Sequence, residues 1–159
     1  MNVPIDERIA IQELVNLYPL YCDTRQYDKL CALFTEVCIF DEVSVGAPLS
    51  TSRAQMREEF RRTEGRLGPL IHICTNHVIS GFSGSAASGT CHVLAEGLFI
   101  IDGAQEPFRI FGYYDDRYIK TEGRWYFNSR TLKLLVPSQG APTAGGITYD
   151  VSADHFKLR

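Results

Sequence analysis

No run of Lys or Arg in this chain exceeds the pair Arg61-Arg62, and the formal net charge is −3. A nucleic-acid binder needs a basic stripe to displace phosphate counterions, so no nucleic-acid partner is expected. No apolar stretch approaches the ~20 residues that span a bilayer, so no membrane partner is expected either. Asp6, Glu7 and Arg8 interrupt the start of the chain before an apolar run forms, which argues against a signal peptide and for a cytoplasmic protein. The five cysteines (Cys22, Cys31, Cys38, Cys74 and Cys91) include no C-x-x-C pair and no zinc-ligand spacing. They read as small buried hydrophobes in a reducing compartment, with no metal site. Internal repeats and low-complexity tracts are absent as well.

What is present is one domain's worth of chain. A globule of 159 residues buries roughly 70% of the surface its unfolded chain exposes, enough to fold without a metal or a disulfide. Hydrophobic residues at 45% and charged residues at 22% are an ordinary balance for a globular domain.

The order of patterns sets the fold class. Ile11, Leu14, Val15, Tyr18 and Tyr21 recur at helical spacing, predicting an amphipathic helix over about 6–22 with Asp6 as N-cap. A short helix over Tyr27 to Phe34 and a strand over Val37 to Val45 follow. Ser52 is positioned to cap a third helix, about Arg53 to Glu64, which ends at Gly65 and Gly68. From Ile71 the pattern becomes strands over 71–82, 89–102, 107–121 and 124–136. Turns fall near Gly84 and at the pairs Asp102-Gly103 and Glu122-Gly123. Strands this long require strong curvature. The expectation is therefore an α+β domain over 1–136, a cone-shaped, strongly curved mixed sheet whose three N-terminal helices enclose a pocket. The tail, 137–159, is either a lid over the pocket, anchored by Tyr149 and Phe156, or disordered.

Few residues are candidates for chemistry. Asp23 lies just beyond the apolar helix, where it caps the next helix or faces a pocket. Tyr18 precedes it by five residues, and the two share a face only if the helix tightens or ends near Cys22. In the strand Ile71-His-Ile-Cys-Thr-Asn76-His77, alternation puts His72, Cys74 and Asn76 on one face and Ile73, Thr75 and His77 on the other. One histidine then faces the cavity, and parity leaves open which. His92 and His155 are weaker candidates.

Three phrases give a family resemblance. They are Ala10-Ile-Gln-Glu-Leu14 leading to Asp23-Thr-Arg-Gln-Tyr-Asp-Lys-Leu30 and Phe34; Ile71-His-Ile-Cys-Thr-Asn76; and Gly112-Tyr-Tyr-Asp-Asp116 with Gly123-Arg-Trp125 and Arg130. In this order they resemble the SnoaL-like branch of the nuclear transport factor 2-like superfamily. Within it the chain is similar to scytalone dehydratase, bile acid 7α-dehydratase and hexachlorocyclohexane dehydrochlorinase, which share an Asp–His dyad. The resemblance places Asp23 and His72 on that dyad, Tyr18 on a tyrosine of the bile acid enzyme, and Arg130 roughly on a basic residue of the last strand. The second pocket histidine of scytalone dehydratase has no counterpart, its place falling near Gly97-Leu98, so scytalone is not the expected substrate.

The implied function is a cofactor-free lyase, a dehydratase or eliminase, acting on a small cyclic or polyketide-like molecule. His72 takes a proton as a neutral imidazole of pKa ~6.5, and Asp23 orients the ring. Tyr18 donates a hydrogen bond to a carbonyl or departing hydroxyl, and Arg130 stabilises developing negative charge. Phe40, Leu94, Phe99, Phe111 and Tyr114 are the expected substrate-binding walls. The alternatives are an isomerase or cyclase on the same scaffold, a non-catalytic small-ligand-binding module, or the small subunit of a ring-hydroxylating dioxygenase. The resemblance also implies a homodimer or homotrimer, since open sheets of this superfamily pack their convex faces together and an exposed apolar face would otherwise be a liability.

Overall fold

The structure is a computed structural model that describes residues 2–140, with backbone only over 137–140. The elements run α1 (Ile5–Asp23), α2 (Tyr27–Cys31), β1 (Phe34–Asp41), a 3-10 turn (Val43–Val45), β2 (Ser50–Ser52), α3 (Arg53–Thr63) and a second 3-10 turn (Glu64–Arg66). The long strands β3 (Leu67–Phe82), β4 (Ala86–Ile101), β5 (Ala104–Thr121) and β6 (Arg124–Gly140) follow. They form one curved, unclosed sheet of order β2-β1-β6-β5-β4-β3, in which β1 runs parallel to β6 and all other pairs are antiparallel. This is the expected α+β cone.

Helix α1 forms where the apolar spacing predicts it, burying Ile11, Leu14, Val15, Tyr18 and Cys22 on one stripe. Its N-cap is Pro4, not Asp6; Asp6 sits in the first turn, where its charge still complements the helix dipole. Glu7 fixes the helix to the far end of the sheet, accepting from Lys120 Nζ at 2.6 Å and Trp125 Nε1 at 2.7 Å. Ser52 caps α3 as expected, its hydroxyl accepting from the Gln55 N–H. The turns at Asp102-Gly103 and Glu122-Gly123 have positive φ at both residues (51° and 82°, 51° and 78°), the backbone a tight primed hairpin needs.

Several boundaries differ from the pattern reading, among them the starts of β3, β4 and β5, which fall at Leu67, Ala86 and Ala104 rather than at 71, 89 and 107. Helix α2 stops at Cys31 because the chain must reverse into β1 at Phe34; Leu30, Leu33 and Phe34 are buried all the same. The strand expected over Val37 to Val45 begins earlier and ends at Asp41, whose Oδ1 accepts the Val43 N–H at 3.1 Å and turns the chain into the 3-10 segment. Strand pairing in β6 continues to Gly140, opposite Phe108, so the boundary drawn at 136 falls inside a strand. Tyr149, His155 and Phe156 lie outside the described residues.

Candidate active site

A cavity of about 220 Å³ opens between α1, α3 and the concave face of the sheet, with Tyr18, Phe40, Glu42, His72, Phe99 and Phe108 in its lining. Its position follows from the fold. The last turn of α1 ends over β3, and the turn after β1 brings Glu42 round to the same space.

Asp23 is the last residue of α1, and its carboxylate meets His72 twice. Oδ1 lies 2.6 Å from ring Nδ1, and Oδ2 accepts the His72 backbone N–H at 2.8 Å. The ring is thereby fixed with Nε2 left over. Burial pulls its pKa down, but the Asp23 carboxylate and the neighbouring Cys22 outweigh that and push it up to about 10. At neutral pH the ring therefore rests in its charged form, which differs from the neutral base that the family resemblance implies.

Strand parity alone misplaces His77. Asn76 takes a positive φ of 54°, and the β3–β4 register slips between Thr75 and Val78. This bulge leaves Thr75 and Asn76 both outside, so His72 and His77 both point inward. They do different things. His77 has both ring nitrogens tied off, to Gln12 Oε1 at 3.2 Å and Tyr118 Oη at 3.1 Å, and does not line the cavity. His92 is on the outer face, bonded to the Asn76 side chain.

Tyr18 is buried, with its ring edge-on to His72 at 6.5 Å between centroids. Its hydroxyl donates to Glu42 Oε1 at 3.3 Å, and the Tyr114 hydroxyl donates to the same oxygen at 3.2 Å. Glu42 has its pKa raised, chiefly by burial, with His72, the two phenols and Arg130 acting the other way. Sequence reasoning missed this residue. Glu42 falls in what looked like a continuous strand, and only the turn after Asp41 aims it inward.

Arg130 stands behind the site. It is fully buried and pairs with Asp116 through two bonds, Nε to Oδ1 at 2.9 Å and Nη2 to Oδ2 at 2.8 Å. Its guanidinium is packed against the rings of Tyr18, Tyr114 and Phe127 at 4.2, 4.2 and 4.1 Å. It does not line the cavity, and its charge is matched by Asp116, so its place is underneath the two tyrosines. Of the expected walls, Phe40 and Phe99 line the cavity and Tyr114 lies just behind it. Leu94 and Phe111 do not. They pair with each other and lie on the outer face beside Ile73, because the inward residues at that level are Val93, Ala95 and Ile110.

Cys22, Asp23 and His72 offer three donor atoms within 4.8 Å of one another, a composition that could hold a metal ion. Nδ1 and Oδ1 are occupied with each other, so a cation there would have to displace the proton they share.

The chain belongs to the SnoaL-like domain family, whose model matches residues 4–131. Among solved structures it is similar to a candidate aromatic ring hydroxylase from Novosphingobium aromaticivorans, at 28% identity over 88% of this chain and 96% of that one, with TM-score 0.82. A candidate scytalone dehydratase from the same organism shares 23% identity over 86% and 87% of the two chains, with TM-score 0.72. A type 2 hexachlorocyclohexane dehydrochlorinase shares 21% over 92% and 94%, with TM-score 0.72. No curated protein matches. Among the described residues, no helix is long and apolar enough to cross a membrane. The fold is shared by proteins named for different reactions, so the reaction must be argued from the site.

Proposed function

We propose that the chain is a lyase of the dehydratase or eliminase type, acting on a small, largely apolar cyclic or polyketide-like molecule, with the Asp23–His72 pair handling the proton. The observation that supports this reading is the 2.6 Å bond between Asp23 and His72 at the wall of a partly open, mostly apolar cavity. Elimination requires a proton to leave a carbon while the neighbouring group departs. An imidazole anchored through one nitrogen and open at the other can take or give a proton at a fixed place. Apolar walls exclude water and strengthen every charge interaction within. The chemistry is sufficient without a redox partner. Some structurally similar proteins are named as a dehydratase and a dehydrochlorinase, which agrees with this reading.

The test is a screen of alicyclic alcohols for loss of water, followed by absorbance of the conjugated product. His72→Ala should lower the rate by about 10²–10⁴-fold, measured at a temperature where the variant is still folded, since it also removes the ring that Asp23 holds. A rearranged product that keeps its hydroxyl would instead identify an isomerase. Tight binding with no turnover of any compound would leave only a binding module. The same reading includes self-association in the cytoplasm through the outer sheet face, where Ile71 and Ile73 are 53% and 48% exposed.

A further inference from the structure

Glu42 is a carboxylate on the cavity wall with no cation in salt-bridge contact among the described residues. Its side-chain bonds are the Tyr18 and Tyr114 hydroxyls, and both use Oε1, which leaves Oε2 to the cavity. The rings that aim those hydroxyls are held from behind by Arg130, which is itself locked by Asp116. A flexible side chain is thus fixed at one oxygen and available at the other. On the other edge of Tyr18 stands His72, held by Asp23 through Nδ1 and open at Nε2. Two proton-handling groups with different environments face one cavity.

We propose that Glu42 is the base of the elimination and that His72, carrying its proton, is the acid, so that the group expelled is a hydroxyl and the substrate a β-hydroxy carbonyl compound. This rests on the lyase reading and assigns its roles. The assignment follows from what each group can do in the resting state. A ring clamped by a carboxylate holds its proton at neutral pH, as the elevated pKa of His72 also indicates. A carboxylate removed from water and hydrogen-bonded only by neutral phenols takes a proton more readily than usual; burial outweighs the charged His72 and Arg130, which act the other way. When the environments of two titratable groups push them apart in this way, acid and base are distinguished.

The step balances. Glu42 Oε2 takes the proton from the carbon beside the carbonyl, and the C–H electrons become the new C=C bond. The C–O bond to the hydroxyl breaks, and the departing oxygen collects the Nε2 proton of His72 and leaves as water. Glu42 then returns its proton to His72, restoring both groups, and the net change is substrate to enone plus water. A halide would leave without a proton; hydroxide would not. A carboxylate is too weak a base for an unactivated C–H, hence the adjoining carbonyl.

The experiment uses the unchanged protein, Glu42→Gln and His72→Ala with two probes, 3-hydroxycyclohexanone and 3-acetoxycyclohexanone, both giving 2-cyclohexenone. Glutamine keeps an Oε1 for Tyr18 and Tyr114, so the fold is retained while the titrating group is lost. Glu42→Gln should lose about 10²–10⁴-fold on both probes. His72→Ala should lose a similar factor on the hydroxy compound and far less on the acetate, which departs without a proton. The rate of the unchanged protein on the hydroxy compound should fall at both ends of the pH range, at low pH as Glu42 is protonated and at high pH as His72 loses its proton. Full activity in Glu42→Gln, or a rate that only climbs with pH together with equal loss on both probes in His72→Ala, makes His72 the base and overturns this inference while the lyase reading stands. No elimination from either probe by the unchanged protein overturns both.

Discussion

The carboxylate of Asp23 holds His72 at two points of the same residue, ring Nδ1 at 2.6 Å and backbone N–H at 2.8 Å. One side chain at the end of α1 therefore fixes both the position of the strand and the orientation of its imidazole.

That double hold predicts the ring's charge. By nitrogen NMR, His72 should remain protonated across neutral pH and titrate near 10, following its Asp23 and Cys22 neighbours rather than its burial. In Asp23→Asn the ordering reverses. Burial remains and the carboxylate is gone, so the titration should move to or below the unperturbed value of about 6.5. A midpoint near 6.5 in the unchanged protein would contradict the geometry.

Stability should carry the same signature. The folded-state pKa of His72 lies above its unfolded value of about 6.5, so its contribution is complete below that pH and is lost as pH rises through about 10. Urea midpoints of the unchanged protein should therefore decline over this window more steeply than those of His72→Gln. Equal slopes in the two proteins would refute the linkage.

The ion pair under the tyrosines predicts an asymmetry. Asp116→Ala leaves the fully buried Arg130 uncompensated and should cost about 3–5 kcal/mol of unfolding free energy. Replacing both partners, Asp116→Leu with Arg130→Met, should cost much less, because no lone charge is left behind. Denaturant titration of the two variants measures the difference. Comparable losses would mean that the pair contributes stability of its own.

The outer face predicts an assembly. Ile73 and Leu135 are exposed apolar side chains on the sheet, at 48% and 60% exposure. The unchanged chain should sediment as a dimer or trimer, and Ile73→Lys should shift it towards monomer without lowering its melting temperature. A chain that sediments as a monomer at all concentrations would leave that face without a partner.

The architecture was legible because its signals are local. Apolar spacing along α1, the Ser52 cap and the Gly-containing turn pairs each specify their element with neighbours only a few residues away. The Asp23–His72 pairing is implied by the family resemblance and not by local pattern, since two residues 49 positions apart carry no local sign that they touch. Where local signals failed, a one-residue event was responsible. The bulge at Asn76 reversed the parity that separated His77 from His72, and the turn after Asp41 aimed Glu42 inward from what read as a strand. Leu94 and Phe111 face outward rather than lining the cavity; hydrophobicity alone does not tell the two faces of a sheet apart when the outer one is apolar too.

The irregularity at Asn76 divides β3 into two halves that answer to different demands. Upstream, the spacing is dictated by a carboxylate that must be met at fixed reach; downstream, by rings and a helix that must be filled against. Since one surplus residue absorbs the phase between them, the packing half can drift in sequence, or be redesigned, without transmitting the change to the imidazole four positions earlier.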